Sequence, residues 1–138
     1  MKRQRATVIV EIEQRILLVE NRGGLVLLPG GGIDQHESRL QAAARELAEE
    51  TGLIADSLVF LFDHQSLTNC HNVFWAIASG TPLAGDDATR LHLFDEQQTP
   101  LVNRMSAATR EIVERFRAIR ATPVTSLALA MAQTPRGR

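Results

Sequence analysis

Three glutamates on one face of a single helix are the feature that most constrains this chain. Glu46, Glu49 and Glu50 follow a run of glycines and precede Gly52. At 3.6 residues per turn, the three side chains fall within an arc of about 100°. Carboxylates at i, i+3 and i, i+4 repel each other and weaken an isolated helix by about a few tenths of a kcal/mol per pair. The cluster therefore indicates a hard divalent cation, because Mg²⁺ binds carboxylate oxygens together with waters and substrate phosphates.

The residues around the glutamates predict where this helix begins and ends. Ser38 is the predicted N-cap, and Gln41 three residues later completes a capping box. Gly52 suits the left-handed position that ends a helix. The predicted buried stripe recurs at i, i+4 and i+7 and consists of Leu40, Ala44 and Leu47. The glutamate arc is centred more than about 100° from that stripe, so the glutamates can face a ligand while the helix packs on the rest of the protein.

Outside this helix the chain is mainly strands and turns. β-Branched and apolar runs predict strands at residues 6–12, 15–20, 25–28, 58–64, 69–79 and 90–94. Residues 30–32, all glycine, are predicted to form a loop that a ligand can approach closely. Further helices are predicted at 106–120 and about 122–133, followed by a disordered tail at 134–138. This order excludes a simple βαβ array and predicts an α/β fold of the α+β type, a mixed sheet with helices on its faces.

Length and charge narrow the class of partner. A chain of 138 residues suits one domain. The net charge of −1 provides no overall field to recruit a long nucleic acid or an anionic membrane. A local basic cluster at Lys2, Arg3 and Arg5 is interpreted as a solvated tail. We therefore expect neither a long nucleic acid nor a membrane as a partner.

Cysteine usage and hydropathy predict the compartment. Cys70 is the only cysteine, so the chain forms no intrachain disulfide, which fits a reducing compartment. We expect a structural role for this thiol. No run approaches the ~18 apolar residues of a membrane span, and the apolar run near the N-terminus is too short for a signal peptide. A cytoplasmic location is the expectation.

Residues 31–53 match one sequence pattern at every fixed position: GX5EX7REUXEEXGU, in which U is a bulky aliphatic residue. The matching residues are, in order, Gly31, Glu37, Arg45, Glu46, Leu47, Glu49, Glu50, Gly52 and Leu53. This pattern is the Nudix box, and the chain therefore resembles the Nudix hydrolases. The resemblance implies one Nudix domain over residues 1–138, folded as an α/β/α sandwich with a mixed β-sheet in which the box forms a loop, a helix and a loop.

The resemblance also implies a reaction. Nudix hydrolases typically hydrolyse a nucleoside diphosphate linked to another group X, with Mg²⁺ as the cofactor. By resemblance Glu46, Glu49 and Glu50 would be the metal ligands, and Mn²⁺ is a second candidate metal. The backbone carbonyl of Gly30 is a further candidate ligand, with Gly31 as the alternative.

Catalytic roles fall by resemblance on Glu46, Glu49 and Arg45. Family members differ over which residue deprotonates the attacking water, so Glu46 is expected as either a ligand or the general base. Arg45 is expected to orient a box glutamate through its guanidinium fork and to pair with Glu37 near the helix start. The alternative for the whole set is a solvated acidic helix face, which the complete pattern disfavours.

Residues outside the box are less informative. Asp86 or Asp87 is a candidate metal ligand from a loop, with Asp87 preferred, although such a pair beside a glycine is also common in turns. His64 and His71 lie on predicted strands that could border a substrate cleft, but packed or surface roles are favoured. Trp75 could stack on a nucleobase, but a core position is favoured.

Three functional alternatives remain open at the level of sequence. The leading one is a pyrophosphohydrolase acting on a nucleotide or nucleotide derivative. A second is a non-catalytic Nudix module that binds a nucleotide as a regulator; silent members tend to lose box glutamates, and this chain keeps them. A third is a hydrolase of RNA caps or dinucleoside polyphosphates, against which the neutral charge argues weakly. The apolar segment near the C-terminus allows a homodimer, and no motif identifies the group X.

Overall fold

The computed structural model describes residues 2–122, apart from the side chain of Thr99. The helix predicted at about 122–133 and the tail at 134–138 lie outside the described residues. The elements, in chain order, are β1 (Arg3–Ile12), β2 (Arg15–Glu20), β3 (Val26–Leu27), β4 (Gly30–Gly32), α1 (Arg39–Thr51), β5 (Ile54–Gln65), β6 (Asn69–Ser79), β7 (Arg90–Phe94), α2 (Thr99–Val102) and α3 (Ala107–Arg120).

The ten-residue strand β1 holds the sheet together because it takes part in three ladders. It pairs with β6 in parallel from Arg3 to Val10. It pairs with β4 and with β2 in antiparallel fashion. The strand order is β3-β2-β1-β6-β5, with β4 added on β1 and β7 added on β2. The sheet is therefore mixed, as the order of elements predicted.

Two apolar clusters cover the two faces of this sheet. Alternate residues of a strand point to opposite faces, and β1 supplies both clusters. Toward α1 the cluster contains Ala6, Val8, Val10, Ala42, Ala43, Leu47 and Phe74. Toward α3 it contains Ile9, Val73, Trp75, Ile112, Val113 and Phe116. One helix layer on each face makes this an α/β/α sandwich, which confirms the predicted fold class.

The tryptophan belongs to the core rather than to a ligand site. The Trp75 side chain is 4% exposed. Its ring meets that of Phe116 edge to face, with centroids 5.1 Å apart. The favoured interpretation of this residue is therefore the correct one, and the base-stacking alternative is wrong. Cys70 is likewise buried, and Gln65 donates a hydrogen bond to its sulfur.

Some predicted boundaries differ from the structure. The glycines at 30–32 were expected to form a loop, but they form strand β4, because their backbone groups still need partners and find them on Arg5–Thr7 of β1. Strands β1 and β5 begin three and four residues earlier than predicted, β3 contains only Val26–Leu27, and the short helix α2 was not predicted. Strands β2, β6 and β7 have the predicted bounds.

The buried face of α1 also differs in part from the prediction. Leu47 is fully buried, but Leu40 and Ala44 are only partly covered. Ala42 and Ala43 lie at the centre of the contact instead. Two adjacent alanines fit because their small side chains let the helix approach β1 closely, so the stripe is rotated from the one predicted by the large apolar residues.

Both ends of α1 are capped as predicted. The backbone N–H of Gln41 donates to Ser38 Oγ at 3.0 Å, and that of Ser38 donates to Gln41 Oε1 at 2.9 Å. Gly52 has φ 74° and donates its N–H to the carbonyl of Ala48 at 2.9 Å. These caps fix the length and direction of the helix that bears the glutamates.

None of the described helices is long and apolar enough to cross a membrane.

We predict that Gly52→Ala lowers the free energy of unfolding by about 1 kcal/mol, because an L side chain is strained at this positive φ. A Cβ at this position would meet no atom closer than 3.7 Å, so the loss comes from backbone conformation rather than from a clash. Gly52→Asn is the matched control, because asparagine tolerates the left-handed conformation better. Denaturant unfolding would measure both changes, and equal losses in the two variants would contradict this explanation.

Candidate active site

The box glutamates lie directly against the backbone of strand β4, because this strand consists of glycines and has no side chains. A Cβ built on Gly31 would overlap the carboxylate of Glu46, so a side chain at this position would force that carboxylate to move. The backbone N–H of Gly30 donates to Glu50 Oε1 at 2.9 Å. The carboxylates of two successive turns of α1 therefore lie against the backbone of one glycine strand.

Burial changes the acid–base properties of these two carboxylates. Burial raises the pKa of Glu50 to about 7; the Gly30 hydrogen bond and the charge of Arg5 oppose this shift, while Glu46 and Asp86 add to it. Burial also raises the pKa of Glu46, against the effect of Arg45. Both groups are costly to keep ionised in this place without a nearby cation. The site is thus electrostatically suited to binding one.

The guanidinium of Arg45 donates hydrogen bonds to several groups around this helix face. Its Nε and Nη2 donate to both carboxylate oxygens of Glu37, at 2.7 and 2.9 Å. Its Nη1 donates to Glu46 at 3.0 Å and to Glu49 at 3.2 Å, and Nη2 also donates to the carbonyl of Gly32 at 3.1 Å. These contacts raise the pKa of Arg45, chiefly through Glu37. Arg45 therefore makes both predicted contacts: it pairs with Glu37, and it donates hydrogen bonds to box glutamates.

The effect on Glu37 completes this arrangement. Its hydrogen bonds from Arg45 and from the backbone of Asp34 lower the pKa of its carboxyl group, so it stays ionised at neutral pH. The Glu37–Arg45 pair joins the start of the helix to its middle. This contact is structural, as predicted, and it holds Arg45 in the orientation from which it reaches Glu46 and Glu49.

A loop from residue 80 to residue 88 packs against the end of α1. The N–H groups of Leu83 and Gly85 donate to the carbonyls of Thr51 and Glu50, at 2.8 and 3.1 Å. The loop carboxylate whose charge acts on Glu50 is Asp86, which has φ 53°, rather than the preferred Asp87. The sequence could not separate the two neighbours, because the choice depends on this left-handed turn.

The carboxylates of the helix are divided between different partners. Arg45 holds Glu46 and Glu49, whereas Gly30 holds Glu50. Within residues 2–122, no three Asp, Glu, His or Cys side chains are gathered as a ready-made metal centre. The carboxylate oxygens that a hard cation needs as ligands are present on one helix face. Rotation of the glutamate side chains can exchange their present hydrogen bonds for bonds to a cation.

A cavity of about 770 Å³ lies on the other face of β1, toward α3. This volume is in the range of small-molecule sites. Its lining combines apolar side chains, among them Leu25, Leu28 and Ile112, with polar groups from Arg5, Thr7 and His71. Five parts of the chain contribute to it: β1, the residues before β4, the turn between β5 and β6, strand β6 and the start of α3.

His71 lies in the wall of this cavity and is neutral at physiological pH. Its Nδ1 and the hydroxyl oxygen of Thr7 share a hydrogen bond of 2.9 Å. Burial lowers the pKa of His71 to about 4, with smaller effects from Arg5 and His64. His64 is bonded to Glu111 and receives a hydrogen bond from Arg115. Both histidines are therefore held in protein contacts, as expected, but His71 also faces the cavity.

The sequence reasoning missed two of the residues in this region. Arg5 was assigned to a solvated basic tail and Thr7 was not singled out, yet β1 includes both and directs them into the cavity wall. The assignment of Arg5 to a tail is wrong because the strand begins at Arg3 and half-buries the residue. A usable signal was present: a cation and a hydroxyl two residues apart share one face of a strand.

A mixed sheet between helix layers, with a carboxylate-bearing helix packed on a glycine strand, defines a Nudix-type α+β fold. Residues 1–136 match the family model of the NUDIX domain. The chain therefore belongs to the Nudix hydrolase family, which the box between Gly31 and Leu53 had indicated.

Comparisons with individual proteins agree with this assignment. The chain is 31% identical over 103 residues to the ADP-ribose pyrophosphatase of Methanocaldococcus jannaschii; the match covers 67% of this chain and 61% of that protein. The structure resembles that of a protein from Chromobacterium violaceum assigned to the nudix hydrolase family, at a TM-score of 0.81 and 33% identity over 91% of this chain and 83% of the other. It also resembles the E. coli ORF135 protein, at a TM-score of 0.75 and 25% identity over 91% and 96% of the two chains.

We predict that His71 makes stability fall with acidification. Its pKa is about 4 in the folded state against 6.5 ordinarily, so the unfolded chain binds more protons between these values. His71 by itself then lowers the free energy of unfolding as the pH falls from about 6.5 toward 4, by about 1.4 kcal/mol per pH unit at most, whereas Glu50, with its pKa raised to about 7, contributes in the opposite sense. His71→Asn should remove the histidine contribution, so that acidification favours the folded state more in this variant than in the parent, as measured by denaturant unfolding across the window.

The control for this prediction is His36→Asn. His36 is exposed at φ 71°, a conformation that asparagine tolerates. Its slope should match that of the parent. Carboxylates that titrate in the same window affect parent and variants alike, so the difference between curves isolates the histidine. Identical slopes in His71→Asn and the parent would contradict the prediction.

Proposed function

We propose that this chain hydrolyses a diphosphate linkage in a nucleotide derivative, a nucleoside diphosphate joined to a further group X. The main observation behind the proposal is that Glu46 and Glu50 lie against strand β4, which has no side chains. Arg45 donates a hydrogen bond to Glu46 on the same helix face. Family membership supports this reaction class. The activity in the name of the Methanocaldococcus relative makes ADP-ribose the first substrate to test.

The donor set fits a hard divalent cation. We propose Glu46, Glu49 and Glu50 as the residues that would hold it, with Mg²⁺ as the metal and Mn²⁺ as the second candidate. The absence of a side chain at Gly31 supports this assignment, because a Cβ there would overlap the Glu46 carboxylate and displace it. When bound, such a cation polarises phosphoryl oxygens and lowers the pKa of water.

Two further donors extend this proposed set. The carbonyl of Gly30 lies on the same strand as the N–H that holds Glu50. From the loop at residues 80–88 we now propose Asp86 in place of Asp87, because the charge of Asp86 acts on Glu50. Both donors would approach from the side of the helix that Glu50 faces.

The protein groups have distinct parts in the proposed reaction. A water oxygen attacks one phosphorus of the diphosphate, the anhydride P–O bond breaks, and a carboxylate accepts the water proton. Glu46 and Glu49 are the two candidates for that proton acceptor. Arg45 contacts both of them, so its proposed role is to orient the acceptor relative to the attacking water rather than to bind substrate.

We predict that Glu50→Gln removes metal-dependent turnover while the fold survives. The amide oxygen of glutamine can still accept the Gly30 hydrogen bond, but the negative charge is gone. Loss of a direct ligand should exceed the roughly 10- to 100-fold effects typical of outer-shell partners. The measurements are hydrolysis of ADP-ribose and a panel of nucleoside diphosphate derivatives with Mg²⁺ or Mn²⁺, and metal titration by calorimetry.

The control is Glu114→Gln, which removes an exposed carboxylate from α3. It should keep the activity and metal affinity of the parent. Undiminished turnover in Glu50→Gln would reject the proposed metal site. Nucleotide binding without turnover of any substrate by the parent would instead favour the regulatory module that the sequence left open.

We also predict that Gly31→Ala impairs turnover without unfolding the protein. The added methyl group would displace the Glu46 carboxylate, and a shift of about 1 Å at a reacting group can cost about 100-fold in rate. Gly31 has no positive φ, so alanine brings no backbone strain. The matched control is Gly23→Ala, where the nearest atom to a new Cβ is 3.5 Å away. Equal activity of both variants would contradict the role given to the glycine strand.

A further inference from the structure

Strand β4 separates two opposite sets of charge. Gly31 pairs with Ala6 of β1, and both direct their side-chain positions toward α1, where the Glu46 carboxylate lies. Gly32 pairs with Arg5, and both face the other way, toward α3. The partition between the carboxylates and Arg5 is therefore only one glycine backbone thick.

The acceptors that bind the Arg5 guanidinium in the described part of the chain are all neutral. Its Nε donates to Thr7 Oγ1 at 3.3 Å and its Nη2 to the carbonyl of Leu28 at 3.3 Å. Among residues 2–122, Arg5 forms no ion pair and its Nη1 has no protein acceptor. The residue also lines the large cavity. A charged N–H group of Arg5 is thus available to a ligand in that cavity.

An arrangement of this kind is costly for stability. A half-buried cation without a close anion loses hydration that two long, neutral hydrogen bonds replace only in part. Burial lowers the pKa of Arg5, and the charges of Glu50 and Glu46 only partly oppose that effect. The charge of Arg5 opposes the rise in the pKa of Glu50, but among residues 2–122 no carboxylate is close enough to form an ion pair with the guanidinium.

The cavity lining indicates where an anion would fit. Leu25, Leu28 and Ile112 provide an apolar wall for a flat group, and His71 is neutral. Arg5 is a cation in the lining whose charge interacts with those of Glu50 and Glu46. A ligand with an uncharged body and an anionic end would satisfy both parts. It would also place that end beside the edge of β4, which pairs only with β1 in the described part of the chain.

We propose that Arg5 binds the phosphate attached to the nucleoside of the substrate, holding it through the guanidinium in the cavity while the rest of the diphosphate reaches the box carboxylates. This rests on the proposed function. Arg5 is then a substrate-positioning residue specific to the nucleoside side of the anhydride. The proposal fixes the orientation of the substrate. The nucleoside lies in the cavity, its phosphate contacts Arg5, and the anhydride lies at Glu46 and Glu50.

The test is binding without metal or turnover. Hydrolysis of the anhydride releases a nucleoside monophosphate, so calorimetric titrations use the 5′-monophosphates of adenosine, guanosine, cytidine and uridine and the matching nucleosides. For at least one base, the parent should bind the monophosphate more tightly than the nucleoside by roughly 10- to 100-fold, as expected for charge-assisted hydrogen bonds. In Arg5→Met this ratio should fall to near one. Arg5→Lys should retain an intermediate ratio, because lysine keeps the charge but not the fork.

The control is Arg3→Met. It removes a cation from the same face of β1, but the Arg3 guanidinium lies against Gly32 and does not line the cavity. Its ratio should equal that of the parent. Arg5→Met should remain folded, as its thermal unfolding will check, because the two hydrogen bonds that it loses are long and end on neutral acceptors. Should Arg5→Met fold poorly, Arg5→Gln repeats the test with a neutral side chain that can still donate to Leu28.

Several outcomes would overturn the proposal. These are an unchanged ratio in Arg5→Met and Arg5→Gln, an equal loss in Arg3→Met, or a ratio near one in the parent for all four bases. The readout is independent of catalysis. An Arg5-dependent ratio in a protein that hydrolyses no diphosphate would sink the proposed function alone, whereas metal-dependent hydrolysis with an Arg5-independent ratio would sink this inference alone.

Discussion

The backbone ladder between β1 and the glycine strand β4 is the interaction on which the candidate site depends. It fixes three residues that have no side chains directly beside the carboxylate face of α1. Because the strand is held by backbone hydrogen bonds, its shape is independent of side-chain packing. Glu46 and Glu50 can then approach backbone rather than other side chains. The strand of glycines therefore has two effects. Its backbone hydrogen bonds define the shape of the site, and its lack of side chains leaves room for a small cation and for phosphate.

The ladder alone would not allow three like charges on one helix face. Arg45 offsets their repulsion by donating to Glu46 and Glu49 while Glu37 fixes its own position. Glu50 lies beyond the reach of these contacts and relies on the Gly30 N–H and on its raised pKa. The helix therefore tolerates its carboxylates in the absence of metal through two separate devices. This separation explains why the donors are not gathered into a preformed centre within residues 2–122.

The parts of the structure that the sequence predicted depend on neighbouring residues. The capping box, the end of α1 at Gly52, and strands β2, β6 and β7 all follow from local patterns, and they agree with the structure. The glycines at 30–32 were assigned to a loop that a ligand can approach closely, and only their pairing with β1 makes them a strand. Arg5 was assigned to a tail because it belongs to a basic cluster near the N-terminus, whereas its burial comes from β6 and from Leu28, which are distant in sequence.

This contrast explains why the reaction class can be inferred more readily than the substrate. The carboxylates and Arg45 lie within two turns of one helix, so their spacing is written directly in the chain. The cavity is assembled from β1, the turn between β5 and β6, and the start of α3, which meet only in the folded protein. Its polar groups, including Arg5 and His71, have no common sequence pattern. The proposed substrate recognition therefore depends on the sheet and its packing, whereas the proposed chemistry depends on one helix and one glycine strand.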